Sequence, residues 1–343
     1  MKILDNYNLL PHNTFGIDVC CRRFVEYDTP EELKDFLTRR TDEGPLLHIG
    51  GGCNLLFLKD FEGTILHSHI RSIETLEGGD DREEVLLRVG AAVVWDDLVA
   101  YTIEHGLYGL ENLSLIPGEV GASAVQNIGA YGAEAKDYIR MVECMNLETA
   151  QLQTFTPEQC DYGYRHSIFK TDGYQGQWAV LYVTYGLSRT FVPHLDYGGI
   201  RAALAHRNIS ADTLTAQQLR DLIIDIRRQK LPDPKQQGNA GSFFMNPIVP
   251  LAQYQDLLKR YPTMPHYSVD ESHVKIPAGW LIEQCGWKGR SLGPAGVHDR
   301  QALVLVNRGG ATGQDIVRLC DAVRKDVLDQ FGIAIHPEVH IIA

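Results

Sequence analysis

"GLENLSLIPGEVGASAVQNIGAYG" occupies residues 109–132. Its apolar residues follow neither the helical nor the strand period, and glycine recurs through it, so it reads as about two dozen residues of irregular loop. A compact domain keeps so long a loop only where the loop has a use. Backbone without side-chain bulk approaches its neighbours closely, and successive N–H groups can cradle an anion. A second Gly-rich turn, "IGGGCN" at 49–54, follows the buried-strand pattern "PLLHIG". It lacks the third glycine of the dinucleotide fingerprint and opens no regular βαβ unit, so alone it is a turn before it is a phosphate site. Two such loops together suit a long ligand gripped at two places, and the 109–132 segment reads as a cofactor cradle.

Working outward, both element types occur. "PEELKDFLTRRTDEG" opens with proline, has acids in its first turn and ends in glycine, which predicts a helix. "GTILHS" and "VLLRVGAAV" (85–93) read as strands, and "WDDLVAYTIEHG" (95–106) as a helix stopped by Gly106. Beyond the loop, "RMVECMNL", "AQLQTF" and "WAVLYVTYGLSR" (178–189) are strand-like, and a domain boundary falls near residue 190. "TAQQLRDLIIDIRRQK" (215–230) is an amphipathic helix stopped by "LPDP". "PAGWLIEQCG", "QALVLVN", "ATGQDIVRLCDAVRKDVLDQFG" and "IAIHPEVHII" then alternate helix, strand, helix, strand. In "GNAGSFFMNP" (238–247), small residues precede a lone serine and two phenylalanines. Read by itself, this is a strand entering the core, with Ser242 as one more hydroxyl bonded to backbone.

At 343 residues the chain exceeds one ordinary core, and its 44% hydrophobic and 22% charged residues are those of an ordinary globular protein. A formal net charge of −12 argues against nucleic acid as a partner, since phosphate backbones need a clustered basic surface. No apolar run has the length of a membrane span, and the N-terminus lacks a signal-peptide pattern, so a cytoplasmic protein without membrane insertion is expected. Seven scattered cysteines without a CxxC pair suggest reduced thiols and no metal site.

"NTFGID" (13–18), "IGGGCNLLF" (49–57), "LENLSLIPGEVGASAVQNIGAYGAE" (110–134), "YGYRHSIFK" (162–170), "RRQKLPDP" (227–234), "GNAGSFFMNP", "AGWLIEQCG" (278–286) and "HPEV" (336–339) occur in order over nearly the whole chain. In this set the sequence closely resembles the UDP-N-acetylenolpyruvoylglucosamine reductase family. The resemblance implies an α+β fold: a vanillyl-alcohol-oxidase-type FAD-binding domain over 1–190, in lobes of roughly 1–68 and 69–190, then a smaller C-terminal α/β substrate domain over 191–343. It implies FAD held by Gly50, Gly51, Gly52, Cys53 and Asn54 at the pyrophosphate. Pro117, Gly118, Gly121, Ser123, Asn127, Gly129, Ala130 and Gly132 would line the flavin. Backbone N–H groups neutralise a diphosphate without a basic surface, so an acidic protein can bind it.

By the same resemblance Arg165 meets the substrate carboxylate, Ser242 donates a proton and Glu338 is the second catalytic residue. Tyr197 in "LDYGG" closes over the nucleotide, as in the longer, type I members, while Tyr131, Lys230 and Asn246 contact substrate. Read singly, Arg165 would be a surface cation and Tyr197 a loop aromatic. The implied reaction is NADPH-dependent reduction of UDP-N-acetylglucosamine enolpyruvate to UDP-N-acetylmuramate, in peptidoglycan precursor synthesis and hence cell-wall growth and division, by a monomer. A carboxylate at Glu338 needs a proton or a cationic neighbour to help rather than repel the developing charge. Cys53 stands where the family has serine, and non-covalent FAD is expected, a small thiol replacing a hydroxyl as a packed neighbour. His336 and His340 also depart from the family pattern. Two other classes stay open: an oxidase on the same cofactor fold, and a flavin- or nucleotide-binding module without catalysis.

Overall fold

Trp178–Ser188, "WAVLYVTYGLS", is dense in β-branched and aromatic residues, which pack well on a pleated surface. It runs through the middle of an antiparallel sheet in the order Leu152–Phe155, Ile139–Asn146, Trp178–Ser188, Glu84–Gly90, Ile73–Thr75. Its residues are buried almost throughout, as a central strand's must be. The helices Trp95–Glu104 and Val120–Gln126 share a core with this sheet, through Trp95, Leu98, Val99, Val120, Ala124, Val183 and Tyr185. The computed structural model describes residues 1–41, 44–76, 84–197 and 199–343. Gly198 of "LDYGG" therefore lies outside the described residues.

The chain divides into two compact units. One comprises Met1–Tyr7, Cys21–Gly51 and Glu62–Gln229; the other comprises Asn8–Cys20, Gly52–Phe61 and Lys230–Ala343. Besides the five-stranded sheet, the first unit holds a sheet ordered Lys2–Asn8, Cys20–Tyr27, Phe61–Ser68, Leu46–Ile49. Its last pair is parallel, from Leu46↔Thr64 to Ile49↔His67. The helix Pro30–Arg39 is capped by Thr29, which accepts from Glu32 N at 3.2 Å, and buries Leu33 and Phe36 beside Val25, Tyr27 and Leu66. A third cluster, Leu195, Ile200, Leu204, Leu219, Leu222 and Ile223, lies under the helices Ile200–His206 and Ala216–Lys230.

In the second unit Leu55–Phe57 pairs in parallel with His340–Ile342, Leu55 opposite His340. Gly313 opens the long helix Gly313–Phe331; a Cβ there would lie 2.0 Å from the Phe57 carbonyl oxygen. That helix has a Thr312/Asp315 capping box and ends on Gly332 at φ 65°, both legible signals. Two small three-stranded sheets complete the unit.

Four expectations change. "GNAGSFFMNP" is not a strand: it carries isolated bridges at Asn239 and Phe244. The 109–132 segment is not irregular throughout, because Val120–Gln126 is helical. The helix expected to run to Gly44 ends at Arg39. In "IAIHPEVHII" only His340–Ile342 is a strand, with an isolated bridge at Pro337. Among the described residues no helix is long and apolar enough to cross a membrane, and no cluster of His, Cys, Asp and Glu could hold a metal.

Candidate active site

In the first unit the cradle loop is built on the five-stranded sheet. Val120 N and Gly121 N donate to the carbonyls of Val93 and Ala91, each at 2.9 Å, which starts the 120–126 helix. A Cβ at Gly121 would come within 2.9 Å of Ala91 Cβ, so only glycine permits this approach. Gly118 has φ +122°, and a Cβ there would meet nothing within 4 Å. The backbone thus requires glycine there and leaves space beside the loop. With Gly50 following the half-buried Leu46–Ile49 strand, beside Ala122 and the Glu119 carboxylate, this low-bulk, loop-rich surface fits a flavin dinucleotide. Gly50 and Gly51 belong to the first unit, whereas Gly52, Cys53 and Asn54 belong to the second.

Two of the residues expected to line the flavin use their side chains on protein. Ser123 is buried, donating to the Val120 carbonyl and sharing a 2.7 Å hydrogen bond with the Tyr185 hydroxyl. Asn127, in the left-handed C-cap position, donates to Glu134 Oε2 and the Gly163 carbonyl and accepts from Lys136 N. Its side chain ties the cradle to the Arg165 turn. Arg165 itself has φ 55° in a two-residue turn closed by reciprocal Gly163–His166 hydrogen bonds. Its guanidinium reaches back over the cradle, Nη2 donating to Gly129 O at 2.8 Å and Nη1 to Asn127 O at 3.4 Å. Lys170 Nζ donates to the Arg165 carbonyl and to Gln126 Oε1.

Asn112 clamps the other rim, its amide nitrogen donating to the carbonyls of Tyr131 at 2.8 Å and His194 at 2.9 Å. The Tyr197 segment is thereby held so close that a Cβ on Gly132 would lie 3.1 Å from Tyr197 Cβ. Tyr197 is exposed, and burial raises the pKa of Tyr131. Arg227, half-buried on the Ala216–Lys230 helix, has its pKa pulled down by burial, opposed by Tyr131 and Asp96 and reinforced by Arg165. The first unit therefore brings together Arg165, Tyr131, Tyr197 and, unforeseen, Arg227.

In the second unit Ser242 and Glu338 lie on adjacent backbone segments. Glu338 N donates to Phe243 O at 2.7 Å, Phe244 pairs with Pro337, and Met245 N donates to His336 O at 3.0 Å. Phe243 and Phe244 are fully buried and pack edge-on to each other, which fixes the segment's direction. The preceding small residues make room for protein: a Cβ at Gly238 would lie 2.1 Å from the Phe15 carbonyl oxygen, and Asn239 pairs with Val306. Asn54 joins the same group, its Nδ2 donating to Glu338 O at 3.2 Å and its carbonyl accepting from His340 N at 3.0 Å. Asn246 Oδ1 accepts from Ala278 N, while Lys230 is exposed where its helix ends. All seven cysteines are free thiols, Cys53 half-buried.

A glycine-rich loop on the sheet of the first unit, and a second unit carrying a serine and a glutamate on paired segments, belong to an FAD-dependent oxidoreductase. Residues 22–156 match the model of an FAD binding domain, and residues 233–342 match that of the UDP-N-acetylenolpyruvoylglucosamine reductase C-terminal domain. The UDP-N-acetylenolpyruvoylglucosamine reductase of Bacteroides fragilis (strain YCH46) is 54% identical over 336 residues, covering 98% of this chain and 99% of its own. That of Porphyromonas gingivalis (strain ATCC 33277) is 45% identical over 343 residues and 100% of both chains. A crystal structure of the Thermus caldophilus enzyme superposes with a TM-score of 0.68 at 22% identity, covering 100% of this chain and 98% of that one, which carries the fold. The chain belongs to the UDP-N-acetylenolpyruvoylglucosamine reductase family.

Proposed function

We propose that this protein reduces the enolpyruvyl ether of UDP-N-acetylglucosamine to UDP-N-acetylmuramate in the cytoplasm, as a monomer, with NADPH as hydride donor. Residues 1–190 hold FAD non-covalently through the Gly50–Asn54 turn and the 117–132 loop, and residues 191–343 take the nucleotide. The observation that best supports this reading is the backbone pairing of the Ser242 and Glu338 segments, through Glu338 N to Phe243 O and the Phe244–Pro337 bridge. When bound, FAD supplies hydride transfer from NADPH to the terminal carbon of the enolpyruvyl double bond.

Hydride addition there leaves negative charge on the carbon bearing the carboxylate. Arg165, its guanidinium already held by the Gly129 carbonyl, binds that carboxylate and stabilises the enolate-like charge, and Glu338 assists as a carboxylic acid that donates a hydrogen bond. Ser242 Oγ–H then gives its proton to the same carbon, completing addition across the double bond, and the serine recovers a proton from solvent. An alcohol is a weak acid, but an enolate is basic enough to take its proton. Tyr197 and Tyr131 close over the nucleotide, and Lys230 and Asn246 meet its diphosphate.

Ser242→Ala separates the two half-reactions. In stopped-flow absorbance, NADPH bleaches the flavin at close to the normal rate, because that step uses no serine proton. Re-oxidation by the enolpyruvyl nucleotide slows by roughly 10²–10⁴-fold, the contribution of a positioned general acid. Equal slowing of both halves refutes the assignment.

A further inference from the structure

The first unit holds a nearly buried acid–base cluster that the proposed chemistry does not use. His67 faces two carboxylates: Nε2 lies 3.4 Å from Glu119 Oε1, and Nδ1 lies 3.4 Å from Glu26 Oε1. The other oxygen of Glu119, Oε2, lies 3.3 Å from where a Gly50 Cβ would be. Glu119 is fixed from behind as well, since its neighbours Gly118 and Val120 bond to Trp95 and Val93. A carboxylate 12% exposed therefore borders the side-chain-free space at the first glycine of the phosphate turn, with an imidazole on its far side.

We infer that Glu119, tethered by His67, is a positioning residue for the cofactor: the pair sets how readily the Gly50 turn accepts an anionic diphosphate. This rests on the FAD reading above. With His67 protonated, the carboxylate is held and largely neutralised; with His67 neutral, a negative charge remains beside a site for another anion. Charges that close in a partly buried setting are weakly screened.

Burial pulls the His67 pKa down, but Glu119 and then Glu26 outweigh it and leave it raised. The other groups facing the cluster do not replace it as the switch. His48 on Leu46–Ile49 is pushed down to about 3 by burial and then by the His67 charge, and it shares a hydrogen bond with the Tyr27 hydroxyl. Tyr27 is pushed up by burial, and Tyr7, near Glu26, is also raised, chiefly by burial. Because the His67 pKa is raised by folding, its contribution is fully present below the ordinary histidine range and lost as pH rises through the raised value.

The test measures FAD dissociation constants of the full-length protein by flavin fluorescence at about pH 6 and about pH 9, either side of a histidine titration. The wild-type constant rises by about tenfold, ~1.4 kcal/mol, between the two. Glu119→Gln, which keeps the shape and removes the charge, binds about tenfold tighter than wild type at the higher pH and little differently at the lower. His67→Gln at the lower pH resembles wild type at the higher, and Glu26→Gln moves the wild-type midpoint to lower pH. If Glu119→Gln gains nothing at the higher pH, or the wild-type constant is flat, the inference fails while the cofactor reading stands, even where His67→Gln does not fold. A wild-type protein that binds no FAD at either pH overturns the cofactor reading and this inference with it.

Discussion

Arg220→Met tests what holds the Ala216–Lys230 helix, and with it Arg227, over the cradle. Arg220 Nη1 and Nη2 donate to Asp96 Oδ1 at 2.6 Å and Oδ2 at 3.0 Å, a bidentate pair whose side chains are only 10% and 25% exposed. Asp96 also accepts from Leu115 N at 2.5 Å, so it fastens the start of the cradle too. Burial alone would raise the Asp96 pKa; Arg220 and the Leu115 N–H more than offset it and leave it lowered. Methionine fills the space but strands the carboxylate with one backbone donor. Breaking a buried pair in this way costs roughly 3–5 kcal/mol, and the partial exposure of Asp96 places the loss near the lower end, about 3 kcal/mol. Urea unfolding followed by far-UV circular dichroism at neutral pH reads it. The second variant, Asp96→Asn with Arg220→Met, removes the stranded charge and recovers much of the loss. The sign with pH follows from the lowered pKa: the pair's contribution is present above the unfolded carboxylate value and lost as pH falls through the folded one. A loss under about 1 kcal/mol in Arg220→Met, the range of an exposed pair, refutes the reasoning.

Tyr197→Phe raises the apparent KM for the enolpyruvyl nucleotide roughly tenfold, the worth of a hydrogen bond to a charged group, while flavin reduction by NADPH keeps its rate in stopped flow. The purified protein is yellow, and acid or heat frees the flavin into the filtrate; colour retained on the denatured chain would point to attachment, with Cys53 the first residue to replace. Gly238→Ala places a methyl 2.1 Å from the Phe15 carbonyl oxygen, so thermal denaturation shows a loss of the 1–3 kcal/mol typical of overpacking. An unchanged transition would mean that the 13–18 segment moves aside.

How much of this was legible depends on where the deciding force lay. The Trp178–Ser188 strand and the Trp95–Glu104 and Gly313–Phe331 helices declare themselves by period and caps, because their own residues supply the reason for their form. Val120–Gln126 does not: "VGASAVQ" has a glycine and small residues where a helix wants length, and its start is fixed by carbonyls at residues 91 and 93. The strands Lys2–Asn8 and Cys20–Tyr27 went unread because polar residues interrupt their alternation. In the candidate site, ordered motifs name segments but not the direction of each side chain. Ser123 and Asn127 sit in the expected loop yet spend their polar atoms on Tyr185, Glu134 and Gly163. At Gly238 the missing side chain makes room for the Phe15 carbonyl, a neighbour that only the folded chain reveals.

Arg227 is the instructive miss, since its signal was present. Ala216, Arg220, Ile223 and Arg227 are spaced by four, three and four, one face of a helix, and the first three are buried. Arg228, one residue on, is exposed. Two arginines on the inward face of an amphipathic helix break the rule that such a face is apolar. Each then requires a reason. For Arg220 it is the Asp96 carboxylate. Arg227 shares its surroundings with a second cation, Arg165. Two guanidinium groups so placed favour an anion, and the substrate proposed here carries a carboxylate and a diphosphate.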